Sequence, residues 1–473
     1  MLHLSVLDGV VVAAFLAALL GLGFSAKLRD NSILQYLAAG RALSTPAFVA
    51  TLVCTWYGGI LGVGESVQYY GIGAWLLLGV PYYVFALIYA VFMAGRVREA
   101  DQISIPERLA ARWGKGVGLL ASGLVFLLAV PAAHVLMLGV MVHLITGLHM
   151  NWAVVVGTLV GTLFLYRGGL LADVRASMLA FLMMYVGFAA ILIWCLLHYP
   201  PAAQWASLAK EKKNWTGGQG WLNVIGFFIL GAWTLVDPGF HQRVASAATP
   251  QTSKRGVLVC ILFWYLFDML SMGSALYAIR LTSSNTEPMS LYPVLGDQVL
   301  PHGLKAVFLC GILGTVTCAM VGYTLVGGAT LGRDIIGRAV PTLDEAKLKQ
   351  ATRAGFAVAC LVAIVLALQI DSVVDLWYQW GGAVIGALLI PVVVGYVPKL
   401  RLSASSGWVF ASMLLAFIVS FGWLVQGKRT QNTELTVHFF GQDFALGTLI
   451  PGLLVSALVL AAGEVASKRI AKT

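Results

Sequence analysis

Four ionisable side chains sit inside or at the edge of long apolar runs: Glu65, His134, Asp237 and Asp268. Placing such a group at membrane depth costs at least about 2.5 kcal/mol, so each is a functional candidate by default. Asp268 lies mid-run in Trp264-Tyr265-Leu266-Phe267-Asp268 and could line a cavity or carry a proton; an interhelical hydrogen bond is the open alternative. His134, one turn after Pro131, reads more simply as a packed histidine. Glu65 reads as reaching the outer surface, and Asp237, just before Pro238, as a cytoplasmic-end cap. The aromatic residues Trp56, Tyr57, Tyr83, Trp233 and Trp264 could wall a site for an apolar or cationic solute. Each cation–π contact there would contribute roughly 0.5–2 kcal/mol. For any single ring, plain packing or a lipid-facing position is the alternative.

The backbone around these residues is weak in helix formers. Span 2 runs Thr55-Trp56-Tyr57-Gly58-Gly59-Ile60-Leu61-Gly62-Val63-Gly64-Glu65. Each glycine costs a helix about 1 kcal/mol against alanine. In lipid, a broken helix strands polar backbone groups, which is tolerated only where they are buried or line a cavity. Transporters use such breaks to aim carbonyls and helix ends at ions and solutes. Close glycine-mediated packing is the competing explanation. A second run of small residues, Gly311 to Gly328, predicts another interruption in span 9, and span 11 carries Gly381, Gly382, Gly386 and Pro391.

The elements that hold these residues follow from composition. Charged residues make up 11% of the 473 and hydrophobic ones 59%, whereas soluble domains carry about 25% charge. The surface must therefore face lipid. A bilayer crossing takes about 20 apolar residues. Thirteen runs qualify: about 6–26, 46–66, 72–95, 115–146, 151–168, 174–198, 219–240, 255–280, 303–330, 354–370, 375–397, 406–426 and 443–465. The loops after odd-numbered spans, with the C-terminal tail, hold 23 of the 30 Lys and Arg. The positive-inside rule then puts the N-terminus outside and the C-terminus in the cytoplasm, with the chain in the cytoplasmic (inner) membrane. No linker divides it, so 1–473 reads as one transporter domain.

The six cysteines, Cys54, Cys195, Cys260, Cys310, Cys318 and Cys360, lie in or beside apolar runs without CxxC spacing, as small hydrophobes in packed helices do. No HExxH, GxSxG or Walker A motif is present, which argues against an enzyme.

Four segments resemble the sodium:solute symporter family over roughly residues 30–400. Leu37-Ala38-Ala39-Gly40-Arg41 resembles its "xLAGR" entry, and Gly168-Gly169-Leu170 with Ala172-Asp173-Val174-Arg175 its "GGxxADVR" turn. Asp237-Pro238 with Gln242-Arg243 and Ala247-Ala248 resembles "DPxFxQR…AA", and the helix ending in Gly332-Arg333-Asp334-Ile335 resembles "GRDI". The resemblance implies an all-α LeuT-type fold of five-plus-five inverted repeats, about 46–198 and 219–397, with flanking helices. It also implies alternating access around a midplane site and sodium-driven uptake of a small organic solute. No cofactor is implied beyond a coupling ion, Na+ or H+, and no oligomeric state.

The chain departs from the family at the cation site. The paired hydroxyls fall on Cys318 and Ala319, the "DS" that follows on Val321 and Gly322, and the "TD" on Ala176 and Ser177. Cys54 and Tyr57 keep main-chain oxygens, and Thr315 and Thr317 are nearby hydroxyls. Sodium needs oxygen ligands, which thiols and methyls cannot replace. Only a weakened Na+ site is expected, leaving a uniporter, an exchanger or a proton-coupled carrier using Asp268 or Glu65. A transport-dead sensor or partner subunit is the other reading. Positions that are polar in sugar carriers fall on Leu61, Leu230, Trp233 and Trp264, which suits a sugar poorly.

Overall fold

The computed structural model describes residues 1–369, 372–373, 380–397, 399–400, 402–430, 435–439 and 442–470. Among these, eleven helices are long and apolar enough to cross a membrane. Two further expected spans are shorter helices, Met150–Thr162 and Gly382–Tyr396. The expected count of thirteen crossings is thus matched by eleven long helices and two shorter ones among the described residues, and residues 375–379 of the expected span 375–397 lie outside the described residues. Two short antiparallel strands, Leu435–Phe439 and Gln442–Leu446, precede the last helix.

The helices sort into an inner and an outer set. Span 9, Leu304–Ala339, span 2, Thr45–Tyr70, and span 4, Lys115–Thr146, are enclosed by the rest of the bundle. Val6–Phe24, Ser406–Arg429 and Leu449–Lys468 expose most of their apolar surface, as lipid-facing helices must. Helix starts carry local signals. Thr249 accepts from Thr252 N ahead of Pro250, Ser104 accepts from Glu107 N, and Asp344 accepts from Lys347 N. Each such cap stabilises a helix by about 1 kcal/mol.

Span 2 is broken where its glycines cluster. An α-helix Thr45–Trp56 passes into a 3-10 turn, Tyr57–Gly59, and a second α-helix, Ile60–Tyr70. Gly58 is required by proximity: a Cβ there would lie 1.9 Å from the Ala319 Cβ on span 9. Span 9 corrects the expectation. It is one continuous α-helix, Leu304–Ala329, closing in a π-helical turn, Thr330–Ile336. Its small residues serve packing: Cβ atoms at Gly314 and Gly328 would meet Ala180 at 2.9 Å and Phe356 at 2.0 Å. Span 7, Trp221–Ser246, is broken instead, with a 3-10 turn at Gly231–Leu235 and a new helix from Pro238. Span 4 breaks at Val130-Pro131.

Gly169 explains its own motif. Its φ of +53° and ψ of −138° belong to a backbone region open mainly to glycine, and a Cβ would lie 2.1 Å from Tyr36 O. The Tyr36 hydroxyl in turn donates to Leu165 O at 3.1 Å, pinning the segment before span 2 to the entry of span 6.

Candidate functional site

The breaks in spans 2, 4 and 7 face one another. They line a cavity of about 210 Å³, together with span 3, span 8, Tyr323 of span 9, Val362 and Leu366 of the next helix and Trp380-Gly381 at the start of span 11. Trp56 and Tyr57 come from the span 2 break, Tyr83 from span 3, Trp233 from the span 7 break and Asp268 from span 8. Trp264 does not line the cavity. It is fully buried behind Trp56, stacked at 4.7 Å between ring centroids. Leu61 and Leu230 are buried away from the cavity.

Asp268 sits at one end. The Tyr83 hydroxyl donates to its Oδ2, and Trp75 Nε1 donates to the Tyr83 oxygen at 3.3 Å. The Tyr57 hydroxyl lies 2.7 Å from Asp268 Oδ1 and 2.6 Å from Trp264 O. Gly79, in a π-helical turn of span 3, makes room, since a Cβ there would fall 2.9 Å from Asp268 Oδ2. Asp237 sits elsewhere on the wall. It caps the helix that restarts span 7, accepting from Phe240 N at 2.6 Å, Tyr323 Oη at 2.7 Å and Trp233 Nε1 at 3.1 Å. Its capping role agrees with the sequence; its place in the cavity wall does not follow from it.

Two further readings change. Glu65 is buried rather than at the outer surface, with Ser372 Oγ donating to it at 2.8 Å. His134 lines the cavity, stacked on Tyr323 at 5.1 Å, with Nδ1 unpartnered. Sequence reasoning also missed Thr55, Tyr82, Tyr323 and Trp380 as lining residues. Pro131 flagged the break beside His134, and Gly231 with Pro238 could have flagged span 7, because the residue before a proline is pushed out of the helical region.

The residues expected to hold a cation converge beside the cavity. Cys54, Ser177, Thr315, Cys318 and Ala319 are fully buried where spans 2, 6 and 9 meet. The Cys54 and Cys318 thiols face each other. The Thr315 hydroxyl donates to Ile312 O, 2.9 Å away in its own helix, and Ser177 Oγ is 3.4 Å from Asp173 Oδ1. Next to them lies a buried ion pair. Arg243 Nη2 is 2.8 Å from Asp173 Oδ2, both side chains being wholly enclosed, and Arg243 also donates to Thr51 Oγ1 and Gly239 O. Arg243, counted among the loop charges above, is therefore a core residue.

The model of the sodium:solute symporter family matches residues 36–414. The chain belongs to that family. Among solved structures, this symporter-family chain is similar to a Na+-coupled sialic acid symporter in its substrate-bound outward-open state: TM-score 0.79, 15% identity, 98% of each chain covered. It is also similar to Mhp1, a nucleobase-cation-symport-1 family transporter, in a closed conformation with bromovinylhydantoin bound (TM-score 0.57, 13% identity, 93% of this chain and 96% of that one). MhsT in complex with L-phenylalanine follows at TM-score 0.52 and 12% identity, covering 89% of this chain and 99% of that one. No curated protein matches. These likenesses give the chain its LeuT-like fold, and its family gives it a multi-pass membrane architecture and a place among secondary transporters.

Proposed function

We propose that the chain carries a small organic solute across the cytoplasmic membrane by alternating access, without sodium as the driving ion. The observation that carries this is the cavity itself, framed by the broken segments of spans 2 and 7 and walled by Trp56, Tyr57, Tyr83 and Trp233. Interrupted helices around an internal chamber suit a mobile binding site and are costly to keep otherwise. Spans 2 and 7 stand five apart, which supports two repeats, about 46–198 and 219–397, inserted in opposite directions. The charge distribution favours an outside N-terminus and a cytoplasmic C-terminus.

The donor set beside the cavity does not fit sodium. Cys54 and Cys318 present thiols, Ala319 a methyl, and the Thr315 hydroxyl is bonded to its own helix. Hard cations need several oxygens at once, and of these four side chains only Thr315 offers one. Reconstitution into proteoliposomes tests the proposal, with uptake of amines, amino acids, carboxylates and sugars followed with and without a sodium gradient. Flux of at least one class, unchanged by sodium, is expected. Flux that collapses without sodium would refute the ion assignment, and binding without any flux would leave a sensor in place of a carrier.

A further inference from the structure

The charge of the cavity wall is one-sided. Asp237 and Asp268 both line it, whereas among the described lining residues there is no lysine or arginine. The nearby Arg243 is committed to Asp173, Thr51 and Gly239, and Lys428 lies over the Trp380 ring at 5.8 Å without reaching the wall. The two carboxylates also differ in what they already accept. Asp237 takes three donors: Phe240 N, Tyr323 Oη and Trp233 Nε1. Among the described residues Asp268 meets only the Tyr57 and Tyr83 hydroxyls, although an ionised carboxylate offers about four acceptor sites. Acceptor capacity is left over at Asp268, which lines the cavity.

Unpartnered polar atoms add a second, independent sign of a ligand. Thr55 Oγ1 and His134 Nδ1 belong to side chains more than nine-tenths buried, both line the cavity, and neither has a hydrogen-bond partner among the described residues. Buried polar atoms left so are rare and costly, about 1–3 kcal/mol each. Trp56 and Tyr82 also line the cavity, packed edge to face with ring centroids 5.1 Å apart.

We propose that the carried solute is a small organic ammonium, a primary amine or a quaternary ammonium bearing an apolar group and no carboxylate. Its charged nitrogen pairs with Asp268, its apolar part lies against Trp56 and Tyr82, and its remaining polar group meets Thr55 or His134. A carboxylate solute would enter with two like charges on the wall and no cation to meet it, and an uncompensated buried charge is strongly disfavoured. A polyol would find too few donors and acceptors to replace its water. An ammonium gains ion pairing and cation–π attraction together.

This inference rests on the proposed carrier cavity, and its test separates the two. Phenethylamine, 2-phenylethanol and phenylacetate differ mainly in charge at one end. Binding of each to the full chain in lipid nanodiscs is followed by quenching of tryptophan fluorescence, with tetramethylammonium as a second cation. The expected order is amine over alcohol by about tenfold or more, with no binding of the acid; tenfold corresponds to about 1.4 kcal/mol. Asp268→Asn should remove most of the amine's advantage and leave the alcohol unchanged. Trp56→Leu should weaken tetramethylammonium, and it keeps the test open if Asp268→Asn does not fold. Equal or tighter binding of the alcohol or the acid, or no binding of either cation, overturns the inference. Uptake of a neutral or acidic solute would overturn it and leave the carrier reading intact, whereas a bound amine that never crosses would do the reverse.

Discussion

Gly58→Ala is the sharpest probe of how the broken span 2 is seated. The added Cβ would lie 1.9 Å from the Ala319 Cβ and 3.0 Å from His134 Cδ2. An ordinary contact begins near 3.4 Å, so the two helices must part by about 1.5 Å or the turn must deform. Neither partner can swing away, since Ala319 has no rotamer to change and Gly58 lies in a 3-10 turn. Overpacking of this kind costs typically 1–3 kcal/mol. Ala319→Gly alone should also destabilise, by about 1 kcal/mol, through a glycine in mid-helix and a lost methyl contact. Together the two changes remove the clash, so the pair should be more stable than the sum of the singles by about 1–3 kcal/mol. Thermal unfolding of the four proteins in one detergent, read by tryptophan fluorescence, measures the coupling. Additive effects, or a Gly58→Ala protein as stable as the wild type, would refute the contact and with it the seating of the break on span 9.

Two more outcomes follow from ion pairs of opposite character. Asp173→Asn or Arg243→Met should each cost about 3–5 kcal/mol, because the partner charge is left buried with its ion pair broken. The double change Asp173→Leu with Arg243→Met should recover much of that loss, and denaturation midpoints that fall additively would contradict it. By contrast, Arg333 and Glu107 pair at 2.7 Å while partly exposed, 19% and 28% of each side chain. Glu107→Gln should cost no more than about 1 kcal/mol. Its difference from wild type should shrink as salt is raised, and a difference that ignores ionic strength would show the pair to be shielded.

The sequence made the bundle legible because lipid punishes an exposed backbone so heavily that apolar runs leave little choice. Gly58 and Gly59 marked the span 2 break correctly, but the same logic failed for span 9. A glycine shows that something needs room and does not say whether the neighbour is a cavity or another helix. At Gly314 and Gly328 the neighbours are Ala180 and Phe356, so the helix stays whole. The opposite error hid span 7, where one glycine and one proline sufficed, since Asp237 caps the restarted helix and lowers the cost of breaking it. Convergence could not be read at all. Trp56, Trp233 and Asp268 meet only through the packing of three spans, and Thr55, Tyr82 and Tyr323 carry no local pattern that separates them from core residues. Asp173 and Arg243 were visible as charged motif residues, yet their pairing across 70 positions depends on tertiary structure.

The break in span 2 links the proposed loss of sodium coupling to transport. Tyr57 turns its side chain toward Asp268 in the cavity, while its neighbour Gly58 rests on Ala319 and Cys54 faces Cys318. One three-residue turn therefore touches the cavity on one side and the residues expected to hold a cation on the other. An ion bridging spans 2 and 9 at that point would fix the turn only while bound, so its arrival and departure could gate the chamber. Here thiol and methyl contacts lie between the two spans, and they form without any ion arriving. On the proposed reading the turn is held by permanent packing, so sodium has no state to discriminate, and a ligand with equal affinity for two states shifts nothing between them. On that reading the drive for the cycle would act at the chamber itself, where Asp268, Asp237, His134 and the solute are the groups able to change charge pairing.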